Sequence, residues 1–125
     1  MDKWQALDKF WNSFGLTAYD ENSVPTGKTA IPLPYITYQA NTDTFDNSVA
    51  LSASLWYRSS SWGQISQKSD EISKKIGMGG TTVPYDDGVI WVKRADPFSQ
   101  RMSDPTDDTI RRIFINIEAE FISQD

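Results

Sequence analysis

Residues 110–122 read Ile-Arg-Arg-Ile-Phe-Ile-Asn-Ile-Glu-Ala-Glu-Phe-Ile, and their alternation sets the architecture of the chain. The apolar face of this segment carries Ile113, Ile115, Ile117, Ala119 and Phe121. The opposite face carries Arg112, Asn116, Glu118 and Glu120. A period of two is typical of a β-strand that is buried on one side. We therefore predict one strand over residues 110–122, longer than the ~5–6 residues of a usual strand.

Two helices are predicted upstream of this strand. Large apolar residues recur at spacings of three and four over residues 2–14, which indicates a helix that begins at an Asp2 cap and ends at Gly15. A second helix is predicted over residues 62–76, with Ser61 and Gln64 in a capping box and Gly77 at its end.

Two hairpins supply four more strands. Residues 35–40 and 48–58 favour strands and flank a polar turn at 41–47. Residues 81–85 and 89–93 flank Asp86-Asp87-Gly88, a strong hairpin signal. Because Pro84 cannot donate to a strand ladder, its strand is expected to lie at an edge of the sheet or to end early.

The remaining segments, 16–34 and 96–108, show no periodicity and are predicted to be irregular. Long irregular segments often make functional contacts, although the first could equally be a surface strap that leads from helix to sheet. The element order predicts a single α+β domain over residues 1–125, with a mainly antiparallel sheet of about five strands and two helices packed on one face.

Composition excludes several classes of function. The chain has no cysteine and no histidine, which removes disulfides, cysteine nucleophiles, Ser–His–Asp triads and the usual zinc sites. We expect no metal and no cofactor. A net charge of −5 disfavours binding to nucleic acid. No apolar run is long enough for a membrane span, and no secretory signal is recognisable, so assembly in a cytosol is expected.

Acid–base chemistry is weakly indicated. Glu118 and Glu120 share a strand face with Cβ atoms roughly 7 Å apart, a spacing that could suit paired carboxylates, and Arg112 lies on the same face. A solvated or interface-lining strand face is the favoured interpretation of the same pattern. We therefore expect that the protein is not an enzyme.

Aromatic and arginine residues are the conspicuous side chains outside the predicted core. Trp and Arg are enriched at protein–protein hot spots, and Trp56 stands on an otherwise polar strand face. The candidate protein-interface residues are Trp56, Arg58, Phe98, Arg101, Arg112, Glu118 and Glu120.

Five segments resemble, in the same order, a family of small proteins from tailed phages and prophages of Gram-positive bacteria. They are residues 18–25 (Ala-Tyr-Asp-Glu-Asn-Ser-Val-Pro), 34–38 (Pro-Tyr-Ile-Thr-Tyr), 55–62 (Leu-Trp-Tyr-Arg-Ser-Ser-Ser-Trp), 97–102 (Pro-Phe-Ser-Gln-Arg-Met) and 110–113 (Ile-Arg-Arg-Ile). The family comprises tail-terminator proteins, also called minor capsid or head–tail joining proteins. The resemblance extends from about residue 4 to residue 121.

The resemblance implies a structural α+β subunit of the virion. Such subunits form a ring, typically a hexamer, that caps the head-proximal end of the tail tube and stops its polymerisation. The implied partners are further copies of the chain, the tail tube protein and the head–tail connector protein. DNA passes through the lumen without specific binding, and an acidic ring fits that role because it repels phosphate. Assembly in the host cytoplasm and no contact with a membrane are also implied.

A second hypothesis stays open on the residues alone. A small cytosolic ligand- or protein-binding adaptor module would use Trp56, Trp62 and Trp91 as stacking platforms.

Overall fold

One long central strand, Ile110–Ser123, organises the fold in the computed structural model, which describes residues 1–24, 33–39, 49–103 and 109–123. The helices are α1 (Lys3–Trp11), which continues into a 3-10 turn at Asn12–Phe14, and α2 (Gly63–Ile76). The strands are β1 (Ala18–Asp20), β2 (Tyr35–Tyr38), β3 (Val49–Arg58), β4 (Thr81–Tyr85), β5 (Gly88–Ser103) and β6 (Ile110–Ser123).

The six strands form one mixed sheet in the order β1-β2-β3-β6-β5-β4. Strand β6 pairs antiparallel with β3 on one side and with β5 on the other. The two predicted hairpins are present as the antiparallel pairs β2–β3 and β4–β5. Only β1, which pairs with β2, runs parallel to its neighbour among these strands. The strand that contains Pro84 lies at the sheet edge, as its missing donor predicts.

Both helices cover the same face of the sheet. The apolar positions predicted for β6 are all buried on this face, and Leu51, Leu55, Ile90 and Val92 of the flanking strands join them. Helix α2 packs on β3, β5 and β6 through Ile65, Ile72 and Ile76. Helix α1 contributes Leu7, Phe10 and Trp11. None of the helices in the described part of the chain has the length and apolarity to cross a bilayer.

Of the four residues predicted to cap or end the helices, Asp2, Gly15 and Gly77 do so and Ser61 does not. Asp2 accepts the Gln5 backbone N–H at 2.8 Å, while Gln5 Oε1 accepts the Asp2 N–H, which completes a capping box. Gly15 and Gly77 end the helical segments with φ values of 82° and 76°. The box predicted at Ser61 does not form, because the helix begins one residue later and the Ser61 hydroxyl accepts the N–H of Gly63.

Both segments that were predicted to be irregular contain residues of a strand. Strand β1 forms within 16–34, where it pairs with β2. Strand β5 continues through 96–103, because a bulge between Arg94 and Ser99 lets the strand bend and regain register with β6. The sheet therefore has six strands instead of about five. The predicted turn at 41–47 and residues 104–108 lie outside the described residues.

Helix α1 is held to the sheet by a buried tyrosine. Tyr38 of β2 stacks on Trp11 at 6.5 Å between ring centroids, and its hydroxyl donates to Asp8 Oδ1 at 2.5 Å. Burial and this hydrogen bond raise the pKa of Tyr38 above its ordinary value. Burial and the nearby carboxylate of Glu71 likewise raise the pKa of Tyr57.

We expect Ile115→Ala to lower the free energy of unfolding by about 2–5 kcal/mol, because it opens a cavity at the centre of the core. Ile115 is fully buried, whereas Ile122 of the same strand is 45% exposed and provides a matched control. Urea unfolding of both variants tests the prediction. If Ile115→Ala and Ile122→Ala lower the free energy of unfolding equally, Ile115 is not at the centre of the core.

We expect Tyr38→Phe to lower the free energy of unfolding by about 1 kcal/mol at pH 7, because the hydrogen bond to Asp8 is lost. The raised pKa means that the folded chain keeps the Tyr38 proton where the unfolded chain has lost it, so stability falls as the pH rises above about 10. The variant should show a shallower decline between about pH 10 and 11, with the remainder coming from groups such as Tyr57. Urea unfolding at several pH values measures both effects, with Tyr19→Phe as the control. If the stability of Tyr38→Phe falls with pH as steeply as that of the wild type, the role given to Tyr38 is wrong.

Candidate protein-interaction surface

The face of the sheet opposite the helices carries most of the candidate interface residues, and we call it the helix-free face. It consists of the strand positions that alternate with the core positions, as the register shows. Its principal members are Tyr19, Tyr35, Ser54, Trp56, Lys93, Met102, Arg112, Phe114, Asn116, Glu118 and Glu120.

An aromatic and cationic row crosses one end of this face. Tyr35, Trp56, Arg112 and Met102 are consecutive register partners on β2, β3, β6 and β5. The Tyr35 and Trp56 rings lie 6.4 Å apart, and Tyr19 of β1 meets Tyr35 edge-on at 6.2 Å. Aromatic pairs across strands stabilise a sheet and leave their remaining surfaces available to a partner.

Arg112 is the best-positioned charged side chain in the row. Its guanidinium carbon lies 4.6 Å from the Trp56 ring centroid and 5.7 Å from that of Phe114. Its Nε donates to Ser54 Oγ at 3.1 Å. The Trp56 indole N–H donates in turn to Thr37 Oγ1 at 2.9 Å. These contacts hold the guanidinium in one orientation before any partner binds.

The other end of the helix-free face is acidic. Glu118 is exposed and Glu120 is half-buried, and both extend from β6 on the same side of the sheet as Arg112. Lys93 is the register partner of Glu118, and its ammonium lies 4.3 Å from the Trp91 ring centroid. Among the described residues, neither carboxylate makes a salt bridge or hydrogen bond.

Of the remaining candidate interface residues, Arg58 lies on the helix-free face, whereas Arg101 and Phe98 lie elsewhere. Arg58 lies on the helix-free face beyond Trp56 and donates to Thr109 Oγ1 at 2.8 Å. Arg101 extends to the helix side, where it contacts Ser66 of α2. Phe98 lies in the β5 bulge and packs against the core. The structure therefore groups Trp56, Arg58, Arg112, Glu118 and Glu120 on one face and leaves Arg101 and Phe98 apart from it.

The sequence patterns missed several members of this surface. Phe114 could have been found, since it has the same parity as Arg112 on β6. Met102 could not, because its position depends on the second half of β5. Tyr35 joins the row as the register partner of Trp56 in the β2–β3 hairpin, and Tyr19 joins it only through the parallel β1–β2 pairing. That pairing between distant segments has no short-range sequence signal.

Each of the three tryptophans considered as a stacking platform has a cation against its ring. The Arg112 guanidinium lies against the ring of Trp56, and the Lys93 ammonium lies against the ring of Trp91. Trp62 has the guanidinium groups of Arg101 and Arg111 at 5.0 and 5.3 Å. A sugar or flat ligand would have to displace these cation–π contacts, each worth about 0.5–2 kcal/mol, before it could stack.

A small groove lies on the helix side of the molecule, between α1, the end of α2 and β4. It is lined by Met1, Phe10, Val83 and Pro84, with Lys9 and Lys75 at its rim. Its volume of about 210 Å³ is below the ~300–1,000 Å³ of typical small-molecule sites. The Lys75 ammonium is already bound to the Ser13 hydroxyl at 2.7 Å.

No family model matches this chain, and no curated protein matches it at a significant level.

We expect a double-mutant cycle of Arg112→Ala and Trp56→Ala to give a coupling of about 0.5–2 kcal/mol, because either substitution alone removes the contact between the guanidinium and the ring. Urea unfolding of the wild type, both single variants and the double variant measures this coupling. A pair from opposite faces, Arg112→Ala with Trp62→Ala, should be additive. Zero coupling between Arg112 and Trp56 would contradict the described row.

Proposed function

We propose that this chain is a structural subunit of a phage tail. Copies of it form a ring at the head-proximal end of the tail tube, where the ring ends tube polymerisation and joins the tail to the head connector. The subunit acts by contact with other proteins and catalyses no reaction.

The observation that carries this proposal is the prearranged row of Tyr35, Trp56, Arg112 and Met102 on the helix-free face. Tyr, Trp and Arg are the residue types that contribute most to protein–protein binding. Their mutual contacts fix their conformations in advance, which lowers the entropy cost of association. A subunit that must dock on other subunits benefits from such a rigid surface.

The charge of the chain supports the same function. A net charge of −5 makes a ring of several copies strongly acidic. Such a ring repels the phosphates of DNA and so lets DNA pass without being held. The similarity of the segments near residues 18–25 and 55–62 to tail-terminator proteins points to the same role.

Other functions gain less support from the geometry. The cations on Trp56, Trp62 and Trp91 disfavour an adaptor that stacks sugars or flat ligands. The carboxylates of Glu118 and Glu120 lie on an open strand face, whereas an acid–base pair works best in a pocket that excludes water.

The proposal is tested by adding the purified chain to polymerising tail tube protein and measuring tube lengths by electron microscopy. We expect tubes of limited length with a ring at one end. Met102→Lys should abolish the effect, because it places a second cation beside Arg112 in the row.

Met78→Lys is the matched control, since Met78 is 98% exposed in the loop after α2, away from the row. This variant should cap tubes as well as the wild type does. Uncapped tubes and no ring with the wild-type chain would overturn the proposed function.

A further inference from the structure

Opposite charges that form no ion pair among the described residues lie at the two ends of the helix-free face. Arg112 uses its Nε for Ser54, and its two Nη groups make no hydrogen bond within the described part of the chain. Glu118 and Glu120 also lack ionic partners there. A prearranged guanidinium and a carboxylate pair are strong binding groups for each other.

The two charges cannot meet within one subunit. Arg112 and Glu118 lie six residues apart on the same strand, which at ~3.3 Å per residue separates them by up to about 20 Å. Within the described part of the chain no carboxylate binds Arg112, and a second molecule can bring a carboxylate to Arg112 and a guanidinium to the glutamates.

We propose that two copies of this chain pack their helix-free faces together about a two-fold axis, so that Arg112 of each copy binds Glu118 and Glu120 of the other. A two-fold axis near Phe114 and Asn116, midway between the charges, makes both sets of ion pairs at once. Sheets packed face to face lie ~10 Å apart, a gap that opposed Arg and Glu side chains can span. Phe114, which lies beside the axis, becomes the apolar contact of the pair.

The dimensions of the face indicate a weak, reversible pair. Four strands at ~4.8 Å and eight residues at ~3.3 Å give about 500 Å² per copy, or about 1,000 Å² in total. That area is at the lower limit for a specific interface. Lys93 beside Glu118 offsets part of the acidic charge, which also limits the affinity.

This inference extends the proposed function without depending on it. A two-fold contact closes at two subunits, whereas a ring requires head-to-tail contacts. The pair is therefore the state of the subunit outside the ring. Because it covers the row of Trp56 and Arg112, it competes with docking on the tail.

Sedimentation equilibrium from about 1 to 500 μM tests the pair, a range chosen because small polar interfaces are typically micromolar. We expect the wild type to approach twice the subunit mass. Arg112→Glu and the double variant Glu118→Lys/Glu120→Lys should each dimerise at least about tenfold more weakly, because like charges then face each other. An equimolar mixture of these two variants should restore pairing.

Lys74→Glu is the control for Arg112→Glu, since it makes the same change in net charge on an exposed position of α2. Circular dichroism of each variant verifies its fold. A wild type that stays monomeric, variants that pair as well as the wild type, or a mixture that shows no rescue would each overturn the proposal. Tube capping by the wild type is scored separately, so a wild-type chain that caps tubes but stays monomeric in sedimentation would reject the pair and keep the proposed function.

Discussion

The antiparallel pairing of β6 with both β3 and β5 is the constraint on which the rest of the molecule depends. Because side chains alternate along a strand, this pairing sends Ile113, Ile115 and Ile117 to the helices and Arg112 to the other face. A slip of one residue would bury Arg112 and the glutamates, at a cost that no contact in the core could offset. The register of one strand therefore places both the core and the candidate interaction surface.

Local sequence signals were enough to predict most elements of the fold. The Ile-rich alternation of β6, the Asp-Gly turn before β5 and the capping residues Asp2, Gly15 and Gly77 act over a few residues and were interpreted correctly. Strand β1 was missed because it has three residues and exists through its contact with β2. The second half of β5 was missed because Pro97 and its polar neighbours favour a loop, which the bulge accommodates within the strand.

The candidate surface was predictable in composition but not in arrangement. Trp56, Arg112, Glu118 and Glu120 were identified from residue type and strand parity. Their placement into an aromatic end and an acidic end depends on which strands are neighbours and in what register, which is a property of the whole sheet. The same arrangement separates Arg101 from them, since the bulge in β5 returns Arg101 to the helix side beside Trp62.

We propose that this protein contacts other subunits through its helix-free face. Methionine oxidation measures it directly, because peroxide converts exposed methionines to sulfoxides that mass spectrometry quantifies one by one. Met102 lies on the face at 38% exposure, and Met78 lies outside it at 98%. We expect assembly to slow oxidation of Met102 severalfold relative to the dilute chain and to leave Met78 unchanged. Protection of Met78 with no change at Met102 would contradict the account.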